Sequence, residues 1–232
     1  AGANFSTTQA FFLGGSAGFY RTDGFSSAAA GSEPDGFEQW TASGQGRFAP
    51  SPGLELFVSG RYALGNLDLD GYPPPAYVLA DTADTQRTRQ ASGAGGVRYA
   101  AGSLRLSAVY SFSDTRRSTF DPAAGAAPTF TGSGHNDRLD LTGQWRPTPI
   151  VVLDFGGDYE RTAYATLFDA PAHTRSVGIY SQIGVERGHL AAHAGARRDD
   201  YAGFGGATSL GADVSYEVAS DVRLRASVGE GF

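Results

Sequence analysis

Acidic side chains are concentrated in the long polar connections of this chain. The connection Asn66–Gln90 and the following one, Asp114–Ser133, both carry several; these are Asp68, Asp70, Asp81, Asp84, Asp114 and Asp121. Ca²⁺ prefers roughly six to eight oxygen ligands, and carboxylates from neighbouring flexible loops can supply them. The pattern therefore fits a calcium site, and it equally fits aspartates that only form solvated turns.

Aromatic side chains occur in the same two connections. Tyr72 and Tyr77 lie in the first, and Phe120 lies in the second. The apolar body of an aromatic ring can pack against a large flat ligand. These three residues are the candidate ligand-binding residues, and packing of one loop on another is the alternative role for them.

The segments between the connections alternate between apolar and polar residues. Six runs show this clearly: Leu54–Leu64, Leu104–Phe112, Leu139–Trp145, Val151–Tyr159, Leu210–Val218 and Val222–Val228. Alternation places one set of side chains on each face of a sheet. Within the polar set, the arginines and aspartates taken as candidate lumenal residues are Arg61, Arg105, Arg138, Asp140, Arg146, Asp154, Asp158, Arg223 and Arg225. They would line the lumen of a barrel or the solvent face of a soluble sandwich.

The length of the runs and their aromatic residues favour a barrel in a membrane. Runs of roughly ten residues exceed the usual five or six of soluble sheets and match a tilted bilayer crossing. Aromatic residues near the run ends are typical of interfacial girdles, and an ordinary aromatic core is the alternative. They are Tyr62, Tyr110, Trp145, Tyr159, Tyr164 and Tyr216.

Short and long connections follow each other in strict alternation. The short ones are 50–53, 101–103, 146–149, 187–189 and 219–221; the long ones are 23–36, 66–90, 114–133 and 163–175, with a shorter one at 200–206. The two rims of a membrane barrel face different compartments, which accounts for such an asymmetry. We predict an all-β, antiparallel transmembrane β-barrel with short periplasmic turns and long extracellular loops.

The number of strands indicates only part of a barrel. We count about eleven, starting with a stub at Ala3–Thr7. Bacterial barrels have even strand numbers, so about eleven strands correspond to half of a barrel of about 22 with a plugged lumen. The chain also starts without Met and stops at Phe232 within a strand-like run, so we expect an internal fragment.

Composition excludes several other classes. Apolar residues make up 41% and charged residues 18% of the chain, and 33 glycines suit strands and turns better than helices. There is no Cys for a disulfide or a thiolate metal site. A net charge of −6 without a basic cluster argues against nucleic acid as a partner. The sequence contains no run of about 18 apolar residues, so we predict no membrane-spanning helix.

Two segments, Tyr20–Ser26 and Arg223–Phe232, resemble parts of TonB-dependent outer-membrane receptors. Three further sets are similar to the cobalamin-transporter branch of that family: Leu69–Tyr72 with Pro73, Leu79 and Asp81-Thr82; Val177–Tyr180; and Gly195–Tyr201 with Phe204-Gly205. Together these segments follow each other in order along nearly the whole chain. The first is similar to a strand-to-loop junction of that family. The last is similar to a strand that leads into a further family segment.

The resemblance implies a partial structure with a transport function. Residues 1–232 would form part of one receptor barrel domain in the outer membrane of a Gram-negative bacterium. The plug domain, the TonB-contacting segment and the C-terminal strands would lie outside the chain. The long loops would capture a scarce ligand, cobalamin or a similar metal chelate. Calcium would bind Asp70, Asp81 and Asp121, with Asp68 and Asp84 as neighbours.

Three other classes stay open from the residues alone. A passive porin or structural barrel needs neither plug nor energy coupling. An outer-membrane enzyme such as a lipase needs a set of catalytic residues. The segment Gly14–Gly18 matches the sequence pattern of a nucleophile elbow, but that motif requires a strand that leads into a helix. A soluble solenoid or adhesin sandwich is the third class. We assign no catalytic residue and expect no enzyme.

Overall fold

The fold is a single sheet of long antiparallel strands. The computed structural model describes residues 2–8, 10–28, 31 and 34–231. The strands are β1 (Gly2–Thr8), β2 (Phe11–Thr22), β3 (Phe37–Ser51), β4 (Leu54–Gly71), β5 (Ala80–Ala101), β6 (Leu104–Phe120), β7 (Phe130–Trp145), β8 (Val151–Thr166), β9 (Ala172–Arg187), β10 (Leu190–Tyr201), β11 (Gly205–Ala219) and β12 (Val222–Gly229). The described residues contain no helix that is long and apolar enough to cross a membrane.

Each strand pairs with its sequence neighbours, in the order β1 to β12. Within the described part of the chain the sheet is open, because β1 and β12 do not pair with each other. The predicted antiparallel barrel wall is thus confirmed. It has twelve strands where about eleven are expected from sequence, and the predicted stub corresponds to β1. The segment Gly14–Gly18 lies inside β2, away from any helix.

Burial along the strands is inverted relative to a soluble sheet. In β9 the apolar residues Val177, Ile179, Ile183 and Val185 are exposed, whereas the alternate positions, among them Gln182, are half-buried or buried. The described residues provide only three buried hydrophobic side chains, Ala28, Ala63 and Val152. No second layer covers the apolar face, so a sandwich with a sealed core is excluded. The apolar side chains face lipid, and the polar ones face the lumen.

The edges of the apolar face define the membrane-spanning part of β9. Arg175 and Arg187 bracket the apolar run on the outward face, twelve residues apart. That separation is about 40 Å along a strand. At a tilt of about 45° it becomes about 28 Å of height, close to the hydrocarbon thickness of a bilayer.

The register gives this tilt independently. Leu64 in β4 lies in line, strand by strand, with Arg89, Arg116, Ser133 and Ala165. The large apolar residues on this face of β8, however, end at Tyr159, six residues lower. From β4 to β8 the upper boundary of the apolar band thus descends by six residues, about 20 Å along the strands, while it crosses four strand spacings, about 19 Å across them. The boundary is therefore inclined at about 45° to the direction in which the strands pair.

The predicted alternation of short and long connections holds from β2 to β7, where the connection 23–36 has the predicted bounds. It fails after β7, because the predicted short connection, 146–150 in the structure, and the predicted long one, 167–171, both have five residues. Apart from 23–36, the long connections are shorter than expected. Between β4 and β5 only residues 72–79 are outside strands, and between β6 and β7 only 121–129. The residues up to Gly71 and from Ala80 onward continue the ladder. Above the membrane both faces of a strand contact water, so the apolar alternation that reveals a strand disappears while backbone pairing continues.

The short turns use glycine where the backbone requires it. Gly53, Gly102 and Gly188 have φ values of 80°, 54° and 57°, a region that other residues rarely adopt. Among the predicted girdle aromatics, Tyr62, Tyr110, Trp145, Tyr159 and Tyr216 are exposed on the outward face. Tyr164 is different, because its position in β8 places it on the lumenal face, opposite Gly134 and Ala172.

Candidate functional site

Asp70 connects the upper end of β4 to the β2–β3 connection. Its Oδ2 atom accepts hydrogen bonds from Ser26 Oγ at 3.0 Å and from the Ala28 amide at 2.5 Å. Its Oδ1 atom is buried and has no hydrogen-bond partner among the described residues. One oxygen of this predicted calcium ligand therefore holds a loop, and the other is unsatisfied.

Asp84 and Asp121 interact electrostatically across the same rim. Burial raises the pKa of the Asp84 carboxyl, and the negative charge of Asp121 raises it further, whereas a hydrogen bond with Thr82 acts in the opposite direction. Asp84 lies in β5 above the outward apolar band, and Asp121 is the first residue after β6. Two of the five predicted calcium ligands are therefore close enough in the structure to repel each other electrostatically.

The other two predicted calcium ligands lie elsewhere on the rim. Asp68 lines a cleft between the upper strand ends, and Asp81 is exposed near the start of β5. In the part of the chain that the structure describes, no three His, Asp or Glu side chains form a group that could hold a metal ion. Four of the five aspartates, moreover, are on strand extensions rather than in flexible loops. A calcium site stays a prediction.

The predicted ligand-binding aromatics occupy two places. Tyr72 and Tyr77 lie in the β4–β5 connection with 63% and 69% of their surface exposed. Tyr77 has a φ of 51°, which is uncommon for an aromatic residue. Phe120 ends β6 and lines a cleft of about 640 Å³ together with Arg21 and Arg87. Neither tyrosine lines this cleft, so Phe120 is separate from the two tyrosines.

Two arginines organise the lumenal face of β7–β10. The Arg138 Nε atom donates to both carboxylate oxygens of Asp140, at 3.0 Å each, and its Nη1 atom donates to Glu160 at 2.8 Å. Arg197 donates in the same way to Asp199 and reaches Asp158 at 2.8 Å. Since Arg138 Nη2 also lies 3.6 Å from Asp158, this carboxylate joins the two groups.

This charge network is tightly enclosed for a lumenal surface. Asp199 is only 4% exposed. The backbone of Gly178 lies opposite Asp199, and a Cβ atom at this position would collide with the Arg197 guanidinium. A buried carboxylate needs such pairing because desolvation of an unpaired charge is costly. The network therefore depends on glycine at 178.

Further charge pairs lie toward the turn end of the lumenal face. Arg146 donates from both terminal nitrogens to Glu186, at 2.8 and 3.3 Å, and these hydrogen bonds raise the pKa of Arg146. His193 lies 3.6 Å from Glu186 and 3.1 Å from Asp213. Asp154 accepts a hydrogen bond from Gln144, and Arg223 pairs with Glu217. These contacts hold the predicted lumenal residues to their own wall.

The lumenal face of β2–β6 has a different character. A recess of about 580 Å³ is lined mainly by glycine and serine, with Ser16, Ser43 and Arg61 among its residues. The hydroxyls of Ser16 and Ser43 are 2.7 Å apart. Small side chains leave the backbone of this wall accessible. The lumen therefore has one wall with paired charges and one wall with room for another polypeptide surface.

The sequence interpretation missed part of the lumenal network. Glu186, His193, Arg197 and Asp199 were not among the predicted lumenal residues, although they form many of its contacts. A local signal exists, because Arg138 and Asp140 repeat the two-residue spacing of Arg197 and Asp199. Residues two apart on a strand share a face.

The architecture matches solved receptor structures over almost the whole chain. The siderophore receptor PirA from Pseudomonas aeruginosa is similar over 97% of this chain and 37% of its own, with 15% identity and a TM-score of 0.74. A mutant ferric enterobactin receptor PfeA of the same organism, in complex with enterobactin, matches over 98% and 40%, with 12% identity and a TM-score of 0.74. The chain therefore shares the fold of these structures over the part of them that it covers.

A transporter of another kind shares the architecture. The RagAB peptide transporter matches 98% of this chain and 36% of its own, with 12% identity and a TM-score of 0.60. This chain spans less than half the length of each of these structures. No family model matches the sequence, and no curated protein matches it. At these sequence identities the similarity describes the fold. The ligands named for these structures are ligands of those proteins.

Proposed function

We propose that this chain is part of the barrel of a TonB-dependent outer-membrane receptor that captures a scarce metal chelate and passes it across the outer membrane of a Gram-negative bacterium. The inverted burial of the strands supports this function best. It combines a lipid-facing apolar surface with an enclosed polar wall, as transport through a barrel requires. The solved siderophore and enterobactin receptors with the same fold support the ligand class.

The rim supplies the surface for capture. Tyr72 and Tyr77 are exposed at the extracellular end of the longest strands, and β5 alone has 22 residues. Exposed rings held above the membrane can pack against the flat face of a large chelate. Within this class we propose cobalamin, on the resemblance of Leu69–Tyr72 and the following residues to cobalamin transporters.

Calcium would organise this rim in our proposal. The unsatisfied Oδ1 atom of Asp70 and the mutual repulsion of Asp84 and Asp121 are both relieved by a bound cation. Asp81, a ligand by the resemblance, and Asp68, a neighbour by the resemblance, would complete the proposed site. The cation would draw the β2–β3, β4–β5 and β6–β7 connections together and order the capture surface.

The lumen would hold a plug domain of the same protein. The recess lined by serine and glycine on β2–β6 offers space and small polar side chains for contact with such a domain. The opposite wall is already satisfied by its own ion pairs. A plug that binds mainly one wall can rearrange without breaking the charge network on the other, and the TonB complex would supply the energy.

Uptake by the full-length protein tests the proposed function. Labelled cobalamin and a labelled ferric siderophore are offered to cells that express the full-length protein, with and without an uncoupler of the proton gradient. We expect saturable uptake of one chelate that the uncoupler abolishes. Uptake that persists with the uncoupler and does not saturate would instead identify a passive porin.

A rim variant tests the capture surface. Tyr72→Ala removes an exposed ring without touching the sheet, so we expect weaker chelate binding and an unchanged melting temperature. A fall of roughly tenfold in affinity corresponds to about 1.4 kcal/mol of lost ring contact. Tyr201→Ala, at the top of β10, is the control. Unchanged chelate affinity in Tyr72→Ala would remove this residue from the site.

A further inference from the structure

Arginines are distributed unevenly on the outward face of the wall. Strand alternation and register place seven of them above the apolar band; they are Arg21, Arg87, Arg89, Arg116, Arg161, Arg175 and Arg198. All seven are exposed. Below the band, the described outward face has only Arg187. The basic side chains are therefore concentrated at one membrane interface.

Four of these arginines form two cross-strand pairs. Arg89 lies directly opposite Arg116, and Arg161 lies directly opposite Arg175. Like charges that face each other across a sheet are destabilising unless something between them carries the opposite charge. Two such pairs lie at similar heights above the apolar band, which indicates that both bind the same kind of anionic partner.

The surrounding carboxylates match only part of this charge. Arg116 lies 3.2 Å from Asp114, but within the described ranges no hydrogen bond or ion pair involves the side chains of Arg89, Arg161 or Arg175. Asp137 lies across from Arg161 on the other side and interacts with it electrostatically, but the hydrogen bonds that this carboxylate accepts come from Tyr110 and His135. Arg161 and Arg175 therefore face each other without a carboxylate to bridge them.

The pairs lie at headgroup level. Arg161 is two residues above the exposed Tyr159, and Arg175 is two residues above the exposed Val177. Aromatic residues mark the interface between hydrocarbon and headgroups, so both guanidinium groups extend just outside the hydrocarbon. A guanidinium presents a planar fork of donors that matches a phosphate group.

We propose that each cross-strand arginine pair binds a phosphate of an anionic lipid headgroup in the outward-facing leaflet of the membrane. The pair Arg161–Arg175 forms one clamp, and the pair Arg89–Arg116 forms a second one on the neighbouring part of the wall. The lipid neutralises the repulsion and anchors the barrel at a set depth. This inference depends on insertion of the barrel in a membrane and is independent of the transported ligand.

Thermal melting of the full-length protein in a neutral detergent tests the clamp, with lipid A as the probe. We expect lipid A to raise the melting temperature of the wild type. In the double variant R161Q/R175Q, the apparent affinity for lipid A should fall by about tenfold or more, because charge-assisted hydrogen bonds are lost. Without lipid, the variant should melt at the wild-type temperature or above it, since a repulsive pair has been removed.

Three controls distinguish a lipid clamp from general attraction between arginines and anions. R187Q, at the opposite interface, should keep the wild-type response to lipid A. Inorganic phosphate and phosphatidylcholine at equal concentration should not reproduce the response. R89Q/R116Q repeats the test if the first variant does not fold. An equal response to inorganic phosphate, an unchanged response in both double variants, or an equal loss in R187Q would overturn the proposal.

Discussion

Single residues show how much the wall depends on space and charge. Gly178 and Gly134 are both strand glycines that face the lumen, but only Gly178 supports a side-chain network. The Arg197 guanidinium occupies the position that a Cβ atom at 178 would need, whereas nothing lies within 4 Å of the corresponding position at 134. The two glycines are therefore a matched pair for mutation.

Gly178→Ala should destabilise the wall by about 1–3 kcal/mol, because the Arg197 and Asp199 side chains must move and a buried carboxylate loses contacts. Gly134→Ala should change the free energy of unfolding by less than about 0.5 kcal/mol. Urea unfolding of the full-length protein in lipid vesicles measures both. Equal effects of the two changes would mean that the Arg197 network does not contribute to stability.

Asp84 offers a test of the calcium proposal at the same scale. Its pKa is raised in the folded state, so the ionised carboxylate lowers stability at neutral pH, and this cost disappears as the pH falls. Asp84→Asn should therefore raise the melting temperature in a chelator. The same change should reduce the stabilisation that millimolar calcium produces, since a ligand is lost.

The control for Asp84 is a carboxylate at the other rim. Asp221 lies in the turn between β11 and β12, so Asp221→Asn should leave both the melting temperature and the calcium response unchanged. If calcium stabilises the wild type and Asp84→Asn equally, Asp84 is not a ligand. If calcium stabilises neither protein, the rim holds no calcium site.

Each strand contacts lipid on one face and the aqueous lumen on the other. In β9, Ile179 is exposed toward lipid, and Gln182 is half-buried toward the lumen near Asp154. The alternation of side chains alone decides which residue contacts which environment. A charge should therefore have opposite consequences at positions only three residues apart.

Ile179→Arg should destabilise the folded barrel by about 2–4 kcal/mol, because an arginine deep on the lipid face is costly. Gln182→Arg should be tolerated, since it gains a carboxylate neighbour in an aqueous lumen. Folding efficiency into vesicles, read by protease protection, compares the two variants. Tolerance of Ile179→Arg together with damage from Gln182→Arg would reverse the assignment of the faces.

The described strands form one open sheet, and its two edge strands affect its stability. Strands β1 and β12 each have one unpaired side in the described structure. Unpaired backbone groups cost several kcal/mol each in lipid, and exposed edges promote aggregation. In our proposal the chain is part of a larger barrel, so the stability of the wall would depend on the strands that close it.

We expect residues 1–232, expressed alone and refolded in detergent, not to yield a monomer that melts cooperatively. Size-exclusion chromatography with light scattering and circular dichroism during heating measure this. The full-length protein in the same detergent is the reference. A monodisperse fragment with a cooperative transition would contradict this prediction and would show that the open sheet is stable without closure.

Much of this architecture follows from local sequence alone. The alternation in β4, β6 and β8 is sufficient to predict the strands, their two faces and most lumenal residues, since side-chain direction along a strand is a local property. Turns such as Pro52-Gly53 also carry their own conformational signals. These features need no knowledge of distant residues.

The upper strand ends and the rim were decided only by tertiary structure. Residues 80–90 are polar on both faces, because both faces contact water, and their strand depends on pairing with β4 and β6. The same holds for the hydrogen bonds of Asp70 to a segment more than forty residues away and for the opposed arginines 161 and 175. Register between strands sets these contacts, and no single segment of sequence encodes it.

The chain thus specifies by itself a wall with one face for lipid and one for water. Which charges meet on that wall depends on how neighbouring strands align. Coulomb energy and desolvation act on pairs of residues that are close in space. The charge interactions of this wall can therefore be predicted only once the pairing register is known.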